Sequence, residues 1–176
     1  MREYKFFHAD RGGHLNEGAI ITNNECLSLF GQEYAHYFNV QDPFNNLKEP
    51  QLREFIAEYV RQNVPDFAKR LSRLSSFFAA LSIDDALLFA KEIIPRPDHP
   101  VNIYEVFSED FLTLDSSWLD YDANPTKRIE YAKYYWWGEI TNHKPLHGER
   151  RPPRLEVLLS TPVRVGKVVE TLPPDQ

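Results

Sequence analysis

The pattern of apolar and polar positions predicts three helices. The clearest covers residues 50–64, where apolar side chains recur at i, i+3, i+4, i+7 and i+8, the spacing of one helix face. A second is predicted over residues 82–94, because a serine N-cap is followed three positions later by an acidic residue. A third is predicted over residues 124–137, which begins with Asn-Pro and stops at Gly138.

Short apolar runs predict β-strands around these helices. The runs cover residues 4–8, 19–21, 77–80, 101–107, 155–159 and 163–169. Residues 23–46 have no clean period and are expected to be irregular. Several short strands with about three helices predict an α+β fold. The length of the chain predicts one domain over residues 1–172, followed by a flexible tail over residues 173–176.

Composition excludes several classes of protein. The chain has 176 residues but only 7 glycines, and neither G-x-G-x-x-G nor G-x-x-x-x-G-K-[ST] occurs, so the common dinucleotide and phosphate-loop motifs are absent. The single cysteine, Cys26, excludes an internal disulfide framework and a cysteine-based zinc site. No apolar run reaches the ~18 residues of a membrane span, and the first residues do not resemble a signal peptide. We therefore expect a soluble, cytoplasmic protein that does not bind membranes.

The net charge of −6 is unevenly distributed. Residues 98–122 contain seven acidic side chains and no Lys or Arg. Residues 141–154 contain four basic side chains against Glu149 alone; they are Lys144, Arg150, Arg151 and Arg154. Both segments are compatible with ordinary solvated surface. The basic segment is also compatible with contact to phosphate groups, although a globally acidic protein does not coat nucleic acid non-specifically.

Neither a metal site nor a serine or cysteine nucleophile is indicated. No H-E-x-x-H occurs, and the two histidines four residues apart, His143 and His147, are separated by Lys144-Pro145, which disfavours a ligand-bearing helix. There is no G-x-S-x-G, and Cys26 has no recognisable motif around it.

Polar residues within apolar strands are the remaining candidates for chemistry. Glu156 interrupts the run 155–159, and His8 ends the first strand. A buried, unpaired glutamate is unfavourable, so Glu156 either has a specific role or faces solvent on a half-exposed strand. His8 is equally compatible with a hydrogen-bonded structural histidine. The serines before Phe77 are compatible with a simple turn cap.

The order of these segments resembles the ADP-ribosyltransferase superfamily. The resemblance rests on a His-bearing strand, a short segment ending in Gly18, a Ser-bearing strand followed by a helix, and a late Glu-bearing strand; here these are Phe6-Phe7-His8, Leu15–Gly18, Ser72–Phe78 with Ser82–Ala86, and Leu155–Leu159. The stretch from Tyr131 through Glu139 also resembles a small family of uncharacterised bacterial proteins associated with this fold. The resemblance implies a split β-sheet core that binds NAD as substrate.

The arginine-modifying branch of that superfamily carries Glu or Gln two residues before its catalytic Glu, whereas this chain has Arg154 there. The chain is therefore nearer the nucleic-acid-modifying bacterial toxins. The resemblance implies that Glu156 is catalytic, that His8 binds a ribose and that Arg73 binds the pyrophosphate. It further implies that a serine contacts NAD and that a tyrosine stacks on nicotinamide; the candidates are Ser75, Ser76, Tyr131 and Tyr134. For both tyrosines, packing within a helix is an alternative.

The acceptor implied by the resemblance is a macromolecule. The basic residues Lys144, Arg150, Arg151 and Arg154 favour RNA or single-stranded DNA over protein. Trp136 and Trp137 are candidates for base stacking, or for the core. A small enzyme of this class is typical of a toxin or phage-defence effector, with the acidic segment 98–122 as a docking surface for an antitoxin protein. The alternatives are a non-catalytic binding module of the same fold and an NAD glycohydrolase.

Overall fold

A computed structural model describes residues 2–92, 94–141 and 152–174 of the chain. Within these ranges the chain forms five α-helices and seven β-strands. The helices are α1 (Leu29–Tyr34), α2 (Pro43–Asn46), α3 (Gln51–Asn63), α4 (Ile83–Lys91) and α5 (Pro125–Trp137). The strands are β1 (Tyr4–Ala9), β2 (Ile20–Ile21), β3 (Phe77–Ala79), β4 (Val101–Ser108), β5 (Phe111–Asp115), β6 (Leu155–Leu159) and β7 (Val163–Leu172). The fold is α+β.

The strands form two antiparallel sheets. The first has the order β1-β4-β7-β2, and the second has the order β3-β6-β5. The sheets meet where β1 lies beside β3: Phe7 and Ala80 exchange two backbone hydrogen bonds, N to O distances 3.0 and 2.7 Å. This junction brings His8 on β1 close to the second sheet, whose central strand β6 carries Glu156.

Helices α3 and α5 pack against the second sheet, and helix α4 packs against the first sheet. Apolar side chains of α3 and α5 pack with Leu114 and Leu158 of the second sheet, and Trp136 is fully buried there. A second cluster, around Phe6 and Val106, packs against Val157 and joins the two sheets. Helix α4 packs on the first sheet through small residues that allow close approach.

The three long helices begin and end close to their predicted positions because local signals define them. The Ser82 hydroxyl accepts a hydrogen bond from the Asp85 N–H (3.1 Å), and the Asn124 side chain accepts one from Lys127 N–H (3.0 Å). Gly138 adopts a φ of 80°, which glycine tolerates at a helix end.

The predicted set of elements was incomplete in two places. The helix count was too low, because α1 and α2 lie in the segment expected to be irregular. Strand β5, inside the acidic segment, was not predicted. The segment ending at Gly18 forms a turn, in which the Gly18 N–H donates to Val165 O (2.9 Å). No helix in the described part of the chain has the length and apolar character needed to cross a membrane.

Candidate active site

A cleft of about 370 Å³ opens beside the junction of the two sheets. Residues of β1 and β3 form its floor, and helices α1, α3 and α4 contribute its walls. Its aromatic side chains are Phe7, Phe30, Tyr34, Phe78 and Phe89, and its charged or titratable ones are His8, Arg11, Arg53, Glu54, Arg73 and Glu156. An apolar cleft of this size with a few convergent polar groups is typical of a small-molecule site.

Glu156 lies at the wall of this cleft with 6% of its surface exposed. Among the described residues, two groups donate hydrogen bonds to Glu156, and both donate to Oε1. They are the Tyr135 hydroxyl, at 2.7 Å, and Arg73 Nη1, which also forms an ion pair with the carboxylate. The alternative that Glu156 faces bulk solvent was therefore wrong. The side chain is buried, paired and held in one orientation.

Arg73 forms ion pairs with both Glu156 and Glu54. Its Nε and Nη2 donate to Glu54 at 2.7 and 3.0 Å, and its Nη1 donates to Tyr135 Oη at 2.8 Å as well as to Glu156. The guanidinium lies between the rings of Phe78 and Tyr135, 4.9 and 5.5 Å from their centroids. Burial disfavours its charge, but the two carboxylates outweigh burial and raise the pKa of Arg73 well above its ordinary value.

These contacts do not match the predicted role of Arg73 at a pyrophosphate. Its side chain is 3% exposed, and four of its five N–H groups already have acceptors in Glu54, Tyr135 and Glu156. We therefore describe Arg73 as a positioning residue for Glu156.

Tyr135 and Glu54 complete the buried network and carry opposite pKa shifts. Burial raises the pKa of Tyr135 well above its ordinary value, with Arg73 opposing and Glu156 adding to the rise, so the hydroxyl stays protonated and donates. Burial alone would raise the pKa of Glu54, but attraction to Arg73 and its hydrogen bonds lower it overall. A second guanidinium joins this network, because Arg53 Nε lies 3.6 Å from Glu54 Oε1, so two carboxylates face two guanidinium groups.

His8 lies in the same cleft, on β1. Its Nδ1 is 2.7 Å from Phe78 O, and since a carbonyl only accepts, Nδ1 carries the proton. Burial lowers the pKa of His8, against a smaller rise from the Phe78 carbonyl and Asp10. The ring is therefore neutral at pH 7, and Nε2 is an acceptor. His8 and Glu156 therefore line the same cleft.

The structure places both predicted serines away from the cleft lining. Ser75 and Ser76 Oγ donate to Ser72 O at 3.3 and 2.6 Å, and the Ser72 hydroxyl caps the same turn. They shape the turn Arg73–Ser75, which delivers Arg73 to the network.

The two predicted tyrosines also lie outside the cleft lining, because they pack in another part of α5. Tyr131 is buried against Trp118 and Tyr121, with ring centroids 5.7 and 5.3 Å apart. Tyr134 donates to Glu130 Oε1 at 3.0 Å. The neighbouring Tyr135, which the sequence did not single out, is the tyrosine that contacts Glu156.

Of the basic segment, Lys144, Arg150 and Arg151 lie outside the described residues. Arg154 stacks over Phe89 of the cleft wall, 4.6 Å from its ring centroid, and forms an ion pair with Glu92. Of the two candidate stacking tryptophans, Trp136 belongs to the core and Trp137 is half exposed.

The acidic segment does not form one uniform surface. Asp115 is fully buried and accepts from Thr141 N and Oγ1, at 2.8 and 2.7 Å, and from Arg154 N at 2.9 Å. Asp120 pairs with Arg53 at 3.0 Å, and Glu105 pairs with Lys5 at 3.2 Å.

A second cleft, of about 400 Å³, adjoins the first and shares Pro50 and Arg53 with it. Its other charged side chains are Glu49, Asp120, Asp122 and Arg128. Arg128 pairs with Glu49 and Arg53 pairs with Asp120, so the charges largely satisfy each other. We assign the candidate active site to the first cleft, which contains the buried network.

Sequence reasoning missed Glu54, Tyr135 and Arg53. The available signal was Glu54 and Glu58, four residues apart and directly beside the apolar stripe of α3, and both are buried. Among the described residues, no group of three His, Cys, Asp or Glu side chains is arranged to hold a metal ion.

The chain belongs to a family of proteins of unknown function, DUF2441, whose family model matches residues 23–170. The matched region contains Arg73, Tyr135 and Glu156, whereas β1 with His8 precedes it. No curated protein matches the chain.

Proposed function

We propose that the protein is an NAD-dependent mono-ADP-ribosyltransferase with a split β-sheet core of that superfamily. The observation that carries the proposal is the Glu156 carboxylate, held at the wall of an aromatic cleft through one oxygen by Arg73 and Tyr135. Such an arrangement supplies a fixed carboxylate in a largely apolar cleft, where electrostatic stabilisation of a developing cation is stronger than in bulk water.

The proposed reaction breaks the bond between nicotinamide and C1′ of its ribose. Nicotinamide leaves with the bonding electron pair as a neutral molecule, and positive charge develops at C1′ and the ring oxygen. The acceptor's nucleophilic atom then bonds to C1′ and loses its proton to solvent or to a base. Glu156 stabilises the developing charge and accepts a hydrogen bond from the 2′-hydroxyl, using the oxygen that Arg73 and Tyr135 do not occupy.

The rest of the cleft fits the substrate's polarity. The neutral His8 presents Nε2 as an acceptor, which suits a ribose hydroxyl. Aromatic side chains, including Phe30, Phe78 and Phe89, offer flat apolar surface to the rings of a dinucleotide.

The proposed acceptor is RNA or single-stranded DNA. Support comes from the basic composition of residues 141–154, which directly precede β6 and Glu156. Basic side chains beside a transfer site supply phosphate contacts that position a strand without reading its sequence.

The test is incubation with NAD labelled in its adenylate part, together with RNA, single-stranded DNA and cell extract. Wild type is compared with Glu156→Gln and with Glu58→Gln, a buried, ion-paired glutamate outside the cleft lining. We expect label on a macromolecule with wild type and Glu58→Gln, and none with Glu156→Gln.

The other outcomes separate the alternatives. Free ADP-ribose without a labelled macromolecule identifies a glycohydrolase. Binding of NAD without consumption under any condition identifies a non-catalytic module. Equal labelling by wild type and Glu156→Gln refutes the role of Glu156, provided that both proteins melt at similar temperatures.

A further inference from the structure

Two arginines beside the cleft have unused hydrogen-bonding capacity. In the described part of the chain, three buried side-chain nitrogen or oxygen atoms lack a hydrogen-bond partner, and two of them are Arg53 Nε and Arg154 Nε. A buried donor without an acceptor is unfavourable and uncommon in folded proteins. Arg53 lines the cleft, and Arg154 stacks on Phe89, which also lines it.

The two guanidinium groups also repel each other. Burial lowers the pKa of Arg154, and the charge of Arg53 lowers it further, against a rise from Glu156. Like charges close together at a cleft favour the binding of an anion, which relieves their repulsion and supplies acceptors.

The ion pair of Arg154 is easier to exchange than those of Arg73. Arg154 pairs with Glu92, whose side chain is 44% exposed, whereas Arg53 pairs with Asp120 at 3.0 Å and lies 3.6 Å from the buried Glu54 carboxylate. An ion pair with a solvent-exposed partner contributes little free energy, so an incoming phosphate can compete with Glu92 for the Arg154 guanidinium. Arg73, by contrast, is enclosed by two buried carboxylates.

The backbone of Arg154 is fixed at this position. Its N–H donates to the buried Asp115 carboxylate, and its carbonyl accepts from the Ser116 N–H at 2.9 Å and hydroxyl at 3.0 Å. Arg53 is fixed by its place in α3. An arginine with a fixed backbone and a partly exposed guanidinium is suited to phosphate recognition.

We propose that Arg53 and Arg154 together form a phosphate-binding site at the cleft, taking the diphosphate of a dinucleotide or a phosphodiester of the acceptor strand. The inference rests on the proposed function for the identity of its ligand, but the site can be measured without turnover.

The experiment measures binding of ADP-ribose, inorganic pyrophosphate, adenosine and a single-stranded 10-mer to wild type, Arg53→Gln and Arg154→Gln. Arg164→Gln is the control, because Arg164, on β7, forms an exposed ion pair with Glu3. We expect each test variant to lose about tenfold or more in affinity for ADP-ribose and pyrophosphate, as for loss of a charge-assisted contact, with adenosine binding unchanged within about twofold. Arg53→Lys should restore part of the affinity.

A loss confined to the 10-mer assigns the phosphate to the acceptor instead of the dinucleotide. Affinities within about twofold of wild type for ADP-ribose, pyrophosphate and the 10-mer overturn the inference, as does absence of pyrophosphate, ADP-ribose and 10-mer binding by wild type. NAD consumption measured on the same preparations tests the proposed function separately. Wild type that consumes NAD while both variants bind normally leaves the transferase standing and removes only the phosphate site.

Discussion

Replacing Arg73 with methionine tests whether the buried network depends on one cation. Methionine keeps the apolar stem but leaves Glu54 and Glu156, 3% and 6% exposed, without their shared guanidinium. Breaking a buried ion pair by removing one partner typically costs about 3–5 kcal/mol. That is a large fraction of the ~5–15 kcal/mol by which domains are stable. For a chain of 176 residues it corresponds to a fall of about 6–20 °C in Tm.

The loss should depend on pH in a defined direction. In wild type, Arg73 holds the pKa of Glu54 below its ordinary 4.5, so Glu54 stabilises the fold above that pH and the contribution is lost as the pH falls. Without Arg73, the effect of burial is opposed only by Arg53, so the pKa of Glu54 rises. Glu54 then destabilises the fold at neutral pH, and protonation relieves this at lower pH. The stability difference between the two proteins should therefore shrink from pH 7.5 to pH 5.

Thermal and urea unfolding, followed by tryptophan fluorescence at both pH values, measure this difference. Arg164→Met is the matched control; its ion pair with Glu3 is exposed, so little change in Tm is expected. The double variant Arg73→Met/Glu54→Gln should regain part of the loss, because it removes one of the two buried carboxylates that lose Arg73. A loss no larger than that of Arg164→Met, or equal losses at the two pH values, would refute the reasoning.

Three further substitutions test how the site is supported. Asp115→Asn should lower the free energy of unfolding in urea by about 2–4 kcal/mol, since an amide keeps only one acceptor oxygen and either Thr141 or Arg154 loses its acceptor; a stability equal to that of wild type contradicts this. His8→Asn should flatten the pH dependence of Tm between pH 7.5 and 5.5: burial lowers the pKa of His8 below 6.5, so its contribution is lost as the pH falls, and an unchanged slope rules this out. Gly31→Ala would place a Cβ 1.8 Å from Leu74 O, so a fall in Tm of several degrees is expected on heating, and no fall would mean that α1 moves freely.

Long helices were predictable because their signals are local. The apolar period of residues 50–64 lies entirely within α3. The caps Ser82 and Asn124 directly precede the helices that they define, and all three helices are present. Helix α1 could not be predicted in this way. It has six residues, too few to show a period, and Gly31 is required only because the backbone of Leu74 packs against it.

The site was predictable where a single residue broke a pattern. Glu156 stands out in an apolar strand, and His8 at the end of another, so both were singled out without knowledge of their neighbours. Their partners depend on which face of a helix meets the sheet. Tyr135, rather than the predicted Tyr131 or Tyr134, meets Glu156 because α5 turns that face toward β6, and this rotation is decided by tertiary packing.

Burying charged groups carries a desolvation penalty, and this penalty favours a functional over a stabilising role for the buried network. Replacing buried ion pairs with apolar side chains of similar size is often neutral or stabilising, so Glu54, Arg73 and Glu156 are not needed merely to fill the space between α3 and β6. Their arrangement does something that apolar packing cannot: it holds one carboxylate at a cleft wall in a fixed orientation, with one oxygen that accepts no hydrogen bond from the described residues. A fixed carboxylate in a low-dielectric site attracts a developing cation, and burying that carboxylate is itself unfavourable. The same property that weakens the fold is therefore the one that the proposed chemistry requires.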